Sequence, residues 1–226
     1  MKVLVLDVGG THVKMLVTGK RQHLEFVSGP RLSAKVMVKT VKKTMSNVGW
    51  DYDVIAMGYP GPVLHNRPMA EPHNLASGWV GFNFQKAFGC PIKIVNDAAM
   101  QALGSYARGR MLFLGLGTGL GSALVVDGML EPMELAHLPF KKGRTYEDFV
   151  GLRGLQRLGK KKWRKYVLEV AKDLRAATLA DYVVLGGGNA RLMKRMPPYV
   201  RLGDNTNAFR GGFRLWREKQ VSPLMN

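Results

Sequence analysis

Asp7 lies in a short segment whose residue types suit phosphate chemistry. Residues 3–17 (VLVLDVGGTHVKMLV) predict a strand, a tight Gly-Gly turn and a second strand. Val13 and Val17 alternate around Lys14, which favours a returning strand over the helix that follows a Walker-type phosphate loop. Backbone N–H groups in such a turn form a concavity that suits a phosphate chain and its Mg²⁺. From this segment alone, an ordinary hairpin in which Asp7 makes only turn hydrogen bonds is the alternative.

Asp97 is the strongest candidate for a catalytic group. It follows a predicted strand at 91–95 and opens a predicted helix at 98–106, and open α/β sheets bind ligands at such strand ends. A carboxylate there can accept the proton of a substrate hydroxyl while its oxygen attacks a phosphoryl group. The alternative is a plain helix cap. The glycine loops elsewhere in the chain favour catalysis.

A second glycine-rich hairpin is predicted at 111–127 (MLFLGLGTGLGSALVVD). Its alternating glycines would share one face of an extended chain, where a ligand can approach the backbone or where strands simply pack tightly; they are Gly115, Gly117, Gly119 and Gly121. Two such hairpins about a hundred residues apart indicate a pseudo-repeat. We therefore expect two lobes, 1–104 and 105–226.

Three weaker groups complete the candidate site. Glu134 and His137 are three residues apart, so a helical turn would place them on one face to hold adjacent hydroxyls; a surface pair is equally compatible. The segment 186–189 (GGGN) follows a predicted strand and is predicted to open a helix whose N–H groups meet a phosphate, or to be a plain turn. The aperiodic loop 64–82 offers polar groups to a sugar at Asn74, Ser77 and Gly78.

The charge is strongly one-sided. The 226 residues carry 34 Lys and Arg against 16 Asp and Glu, a net charge of +18. The densest patch, Lys160–Lys165 (KKKWRK), attracts polyanions, unless it is only a solvated helix face. No apolar run is long enough for a membrane span, no signal peptide is recognisable, and the single Cys90 excludes a multi-cysteine metal site. We expect a cytoplasmic protein.

Hydrophobic periodicity predicts alternating helices and strands, and hence α/β layers. Ser33 is a candidate cap for the first helix. The predicted helices are 33–47, 98–106, 146–158, 161–180, a segment after 189 and 208–219; the further predicted strands are 53–59, 91–95 and 182–185.

Four motifs together resemble the ROK family of sugar kinases. They are DVGGTHVK at 7–14, VNDAAMQALG at 95–104, LGTGLGSALVVDG at 116–128 and ADYVVLGGGNA at 180–190. The resemblance implies a two-lobed actin/hexokinase/Hsp70-like (ribonuclease H-like) fold. It also implies phosphorylation of the 6-hydroxyl of glucose or a related hexose, with Mg²⁺ and with ATP, polyphosphate or both.

The resemblance also implies residue roles. Asp97 would be the general base, and Asp7 would hold Mg²⁺ through water. The phosphates and the donor would lie along Gly9, Gly10, Thr11, Lys14, Gly117, Thr118, Gly119, Gly187 and Gly188. The sugar would be held by Asn96, Glu134, His137 and Glu147. A homodimer is a further expectation from the family.

Departures from the family pattern narrow the resemblance. Many members carry a cysteine-rich zinc loop after the residue matching His137; this chain has no cysteine there, so no structural zinc is expected. Ala136 stands where glycine is usual. Through the lack of a zinc loop, the short length and the ELxHLP pattern at 134–139, the chain most resembles the polyphosphate glucokinase branch, and the +18 charge fits that branch. The alternatives are a non-catalytic sugar- or polyanion-binding regulator and an actin-like ATPase. We expect no membrane partner, and a nucleic-acid partner is disfavoured.

Overall fold

The computed structural model describes residues 1–204 and 206–217 as an α/β protein. The strands are β1 (Val3–Val8), β2 (His12–Val17), β3 (Leu24–Val27), β4 (Val54–Tyr59), β5 (Val63–Leu64), β6 (Arg67–Pro68), β7 (Ile92–Asn96), β8 (Arg110–Leu116), β9 (Leu120–Val126), β10 (Met129–Met133), β11 (Pro139–Lys141), β12 (Arg144–Thr145), β13 (Tyr182–Gly186) and β14 (Val200–Leu202). The helices are α1 (Ala34–Val48), α2 (Phe84–Phe88), α3 (Asp97–Ser105), α4 (Tyr146–Val150), α5 (Leu152–Ala177) and α6 (Asn207–Arg214).

Two five-stranded sheets share one topology. Their orders are β3-β2-β1-β4-β7 and β10-β9-β8-β13-β14. In each, an antiparallel three-strand meander is extended by two parallel strands. Strands β4, β7 and β13 follow helices, whereas β14 follows a short 3₁₀ turn. The predicted pseudo-repeat is thus confirmed as sheet topology. The lobe boundary at residue 104 stays a prediction.

Apolar residues form three layers around the sheets. One face of the first sheet packs against α1 and α2, and one face of the second packs against α5. The middle layer joins the two remaining faces with α3 and α6 between them. Successive residues of β1 and β8 are buried in different layers, because the side chains of a strand alternate between its two faces. Helix α3, which carries Asp97, therefore lies between the sheets.

Helix α6 packs against α3. The helices approach closely because Gly104 faces the backbone of Asn207 and Gly211 faces that of Met100, where a Cβ would overlap in each case. The guanidinium of Arg214 donates to the carbonyls of Leu103 and Tyr106, 2.6 and 2.9 Å away. These carbonyls lie at the end of α3, where a helix lacks intrahelical donors. Helix α6 thus fixes the far end of α3.

Most predicted elements are confirmed within a residue or two. Ser33 caps α1 by accepting from Val36 N, and the predicted helices 146–158 and 161–180 correspond to α4 and a longer α5. The helix predicted after 189 is wrong: only a 3₁₀ turn, Ala190–Leu192, forms. Pro197 limits a helix there to under two turns, because proline cannot continue one. The predicted helix 208–219 is confirmed as far as Arg214, is wrong for residues 215–217, and lies outside the described part at 218–219.

Smaller elements went unpredicted. They are β3, the β5–β6 and β11–β12 hairpins, α2, β10 and β14. In the parts of the chain that the structure describes, no helix combines the length and apolar character needed to cross a membrane.

Candidate active site

The first hairpin places Asp7 opposite Lys14 on the face between the sheets. These residues are register partners in β1 and β2, one step before the last pair of the hairpin. Its turn is tight: Gly9 N donates to His12 O at 2.9 Å, and Ser28 Oγ donates to Gly9 O at 2.6 Å. The hairpin predicted from Val13 and Val17 is therefore confirmed.

Asn74, in the long loop, contacts this turn. A Cβ at Gly10 would lie 3.2 Å from the Cβ of Asn74, so glycine allows the loop to pack here. Thr11, Ser77 and Gly78 are exposed. The loop itself is ordered around Trp79, which is buried against Tyr59 and Phe84.

Asp97 begins α3 at the carboxyl end of β7. Asn96 caps the helix through Oδ1, which accepts from Ala98 N at 2.9 Å, and its Nδ2 donates to Gly61 O at 3.0 Å. Asp97 Oδ1 accepts from Ala98 N at 2.7 Å. The cap is thus mainly the work of Asn96. The Asp97 residue is partly exposed, and backbone N–H groups of Asp97 and Ala98 hydrogen-bond to its carboxylate.

Gly58 lies next to both Asp7 and Asp97, and the sequence analysis did not identify it. Gly58 lies in β4, where its register partners are Asp7 of β1 and Val95 of β7. A Cβ at Gly58 would lie 2.5 Å from the Cε of Met100 in α3 and 3.5 Å, an ordinary contact distance, from the Cα of Asp97. A lone glycine inside a buried apolar strand is the signal that could have identified this close approach.

The carboxylate of Asp7 perturbs that of Asp97. Burial raises the pKa of Asp97 to about 7; repulsion by Asp7 adds to the shift, while hydrogen bonding from Ala98 N–H opposes it. Burial also raises the pKa of Asp7, with Lys14 and His23 opposing. Such desolvated, coupled carboxylates are characteristic of catalytic sites. A pKa near 7 is compatible with a general base at neutral pH, and that role of Asp97 stays a prediction.

The carboxylates also determine what cation this site can hold. Across residues 1–204 and 206–217, no group of three or more His, Cys, Asp or Glu side chains could ligate a metal. Mg²⁺ is held in proteins by one or two carboxylates together with waters and phosphate oxygens. Asp7, whose charged form is destabilised by burial, has the donor chemistry for such an ion.

The second hairpin receives the start of α3. Gly115 and Gly121 are register partners in β8 and β9. A Cβ at Gly121 would lie 2.5 Å from the Cβ of Ala98, and one at Gly115 would lie 3.7 Å from it. The predicted shared face is confirmed for this pair, and the close neighbour is the protein's own helix.

The other two glycines of this hairpin lie in its turn, so the prediction of one common face is wrong for them. Gly119 faces the carboxylate of Glu147, whose Oε2 accepts from Leu120 N at 3.1 Å. Gly117 faces open space. Thr118 is exposed, and its carbonyl accepts from Leu152 N at 3.1 Å. The turn is thus tied to α4 and α5, with Gly117 left accessible.

The Gly187-Gly188 turn packs against the same hairpin. Asn189 N donates to Leu116 O at 2.9 Å, and Asn189 Nδ2 donates to Gly117 O at 3.1 Å. A Cβ at Gly187 would lie 2.6 Å from Leu116 O, whereas Gly188 is open. Because no helix follows, the predicted helix N-terminus for a phosphate does not exist here. Asn189 is a loop-fixing residue that the sequence analysis did not single out.

Glu134 and His137 meet across a turn and do not lie on a helix. His137 Nε2 and Glu134 Oε1 are 4.0 Å apart, with side chains 73% and 62% exposed. Ala136 between them is buried, and its carbonyl accepts from Glu147 N at 3.0 Å. This backbone contact connects the pair to Glu147 and, through it, to Gly119. The roles of these residues in sugar binding stay predictions.

The two equivalent sheets, with their hairpins on either side of α3, define a protein of the actin/hexokinase-like fold. Solved structures support this: the inorganic polyphosphate/ATP-glucomannokinase from Arthrobacter sp. strain KM has a TM-score of 0.77 at 18% identity, covering 93% of this chain and 96% of that one. The ROK hexokinase from Thermus thermophilus has a TM-score of 0.71 at 21% identity, covering 95% and 97%.

The family model for the ROK family matches residues 3–131, more than half of the chain. The protein therefore belongs to the ROK family. A polyphosphate glucokinase from Mycobacterium tuberculosis is 27% identical over 220 residues, which cover 86% of this chain and 80% of the relative.

Proposed function

We propose that this protein is a sugar kinase that transfers a phosphoryl group to the 6-hydroxyl of glucose or a related hexose. The observation that carries the proposal is Asp97, a carboxylate at the start of α3 with a pKa of about 7. Its carboxylate accepts the hydroxyl proton as the sugar oxygen attacks the donor's terminal phosphorus. The bond from that phosphorus to the donor's bridging oxygen breaks, and the shortened donor leaves.

The donor phosphates lie along the turns of the two hairpins in this proposal. Lys14 supplies a cation in the first turn, and Gly117 supplies accessible backbone in the second. Mg²⁺ held by Asp7, when bound, neutralises charge that develops on the phosphates. Asn96, Glu134, His137 and Glu147 hold the hexose.

ATP, inorganic polyphosphate or both serve as donor. Membership of the ROK family and the 27% identity to a polyphosphate glucokinase support this assignment, as does the net charge of +18. A long polyanion is attracted by such a field.

Asp97→Asn tests the proposal. The oxygen of the introduced amide can still accept the hydrogen bond from Ala98 N, so the fold should be retained, while kcat for hexose 6-phosphate formation falls by about 10²–10⁴-fold. Asp51→Asn, at an exposed carboxylate, is the matched control and should retain the wild-type rate. The assay couples sugar phosphate formation to a dehydrogenase, with ATP and with polyphosphate.

Near-wild-type turnover by Asp97→Asn would contradict its role as base. Sugar binding without turnover in the wild type would indicate a regulator, and ATP hydrolysis independent of sugar would indicate an actin-like ATPase.

A further inference from the structure

A groove of about 650 Å³ lies beside α5, on the side of the second sheet away from α3. We call it the lysine groove, because five lysines line it: Lys141, Lys160, Lys161, Lys162 and Lys165. Its one acidic lining residue, Glu169, is already paired with Lys141. The groove is therefore strongly positive.

The lysines are held in place by a kink in α5. Gly159 has φ 70° and ψ 158°, so the helix is interrupted and resumes at Lys160. Trp163, fully buried, donates from Nε1 to Val150 O at 2.9 Å, and Arg164 donates to the carbonyl of Leu192. These two anchors within KKKWRK leave its four lysines exposed around the groove.

A solvated helix face does not account for this arrangement. Three lysines occupy the first turn after the kink, where the helix dipole already carries positive charge and acidic residues are normally favoured. Within residues 1–204 and 206–217, neither an ion pair nor a side-chain hydrogen bond neutralises Lys160, Lys161, Lys162 or Lys165. Repulsion among these four lysines destabilises the unbound protein, and a bound polyanion would reduce that repulsion.

The groove is connected to the candidate active site by α5 itself. This helix begins where Leu152 N donates to Thr118 O in the second hairpin. Exposed Arg153 and Arg157 follow, so cations continue from the hairpin toward the groove. At 1.5 Å per residue, the first part of α5 runs roughly 10 Å from Leu152 to the kink at Gly159, where the groove begins. A short donor seated at the hairpins would end before the groove, whereas a long chain could span both.

We propose that the lysine groove binds the distal part of a linear inorganic polyphosphate whose terminal phosphate lies at the glycine hairpins. This inference rests on the proposed kinase function and adds a second contact region for a long donor. Single-stranded nucleic acid is disfavoured, because its binding uses exposed aromatic rings for base stacking. Trp163 is buried, and the ring of Tyr166 packs against Phe140 and Phe149.

The test is a triple variant, Lys160→Gln, Lys161→Gln and Lys162→Gln, in the full chain. With long-chain polyphosphate as donor, KM should rise about tenfold, because three exposed charge contacts are lost. With tripolyphosphate or ATP, KM should stay within about twofold, since neither reaches the groove. The matched control neutralises three exposed lysines of α1, Lys35, Lys39 and Lys43, and should leave all three donors unchanged.

Direct binding of long-chain polyphosphate at several salt concentrations separates this inference from the kinase assignment. The slope of log affinity against log salt should fall by about 2 in the groove variant and stay unchanged in the α1 control. Equal effects of the two triple variants, or no effect of either, would overturn the lysine groove. Loss of binding to single-stranded RNA with polyphosphate binding intact would also overturn it, in favour of nucleic acid.

If the wild type phosphorylates no hexose with any donor, the kinase proposal fails. The binding measurement still decides whether the groove takes polyphosphate.

Discussion

The two glycine hairpins occupy equivalent places in their sheets but carry different residues at equivalent positions. One register step before the last pair, the first hairpin has Asp7 opposite Lys14, and the second has Gly115 opposite Gly121. Both pairs face the space that contains α3. At the first, the face carries ionisable groups; at the second, the missing side chains leave room for Ala98.

This difference explains how a repeated fold produces a one-sided site. Helix α3 packs against the glycine pair, and the carboxylate of Asp7 raises the pKa of its first residue, Asp97. The first hairpin thus affects Asp97 through its charged groups, and the second affects the position of α3 through the space that its glycines leave. Changes of charge should matter most at the first, and changes of size at the second.

Gly121→Ala should have the largest effect of these changes. The added Cβ would lie 2.5 Å from the Cβ of Ala98, which no rotamer change can move. The start of α3 must shift, at a cost of about 1–3 kcal/mol in the free energy of unfolding. Displacing Asp97 by about 1 Å should lower kcat on the order of 10²-fold. Denaturant unfolding and coupled kinetics measure the two effects.

A compensating substitution checks the mechanism. Ala98→Gly removes the opposing Cβ, so the double variant should regain much of the lost kcat, a positive coupling between neighbours. If the double variant is as slow as Gly121→Ala alone, the contact with α3 is not the cause.

The pH dependence tests the first hairpin. Because the base must be ionised and the pKa of Asp97 is about 7, kcat/KM should be half-maximal near pH 7 and fall roughly tenfold per unit at lower pH. Asp7→Asn removes the repulsion that helps to raise the pKa of Asp97, so the acid limb should move to lower pH, whatever the absolute rate. An unmoved limb, or one near pH 4 in the wild type, would contradict the coupling.

The sequence predicts the chemistry of this site better than its packing. Asp7 lies near the end of a strand just before two glycines, and Asp97 directly follows a strand, so their positions at the sheet edge could be inferred from local pattern. The contact of Ala98 with Gly121 joins two small residues with no chemical signature, and only the tertiary fold brings them together. The same holds for Gly58, and for Arg214 at the end of α3.

Local pattern also misled where tertiary contacts decide the conformation. The segment GGGN suggested a helix start, but Asn189 instead uses its amide to fix the turn of the second hairpin. Glu134 and His137 have helical spacing, yet the chain turns after β10 and brings the two side chains together without a helix.

Gly117→Ala should have the smallest effect on the protein and is the matched control for Gly121→Ala. The two glycines are in the same hairpin, but a Cβ at Gly117 would meet no atom within 4 Å. Its φ is not in the left-handed region, so alanine fits without strain. The free energy of unfolding should change by less than about 0.5 kcal/mol. Only a ligand that approaches this backbone would meet the new methyl group.

The KM for the phosphoryl donor should therefore rise several-fold in Gly117→Ala, about 1 kcal/mol in affinity, while the KM for the hexose stays unchanged. Steady-state kinetics with each substrate varied in turn separates the two constants. A rise confined to the hexose would move the sugar, not the donor, to the second hairpin. If both KM values are unchanged, no ligand approaches the open side of Gly117. The size of the residues in this hairpin would then affect activity only where α3 packs against it.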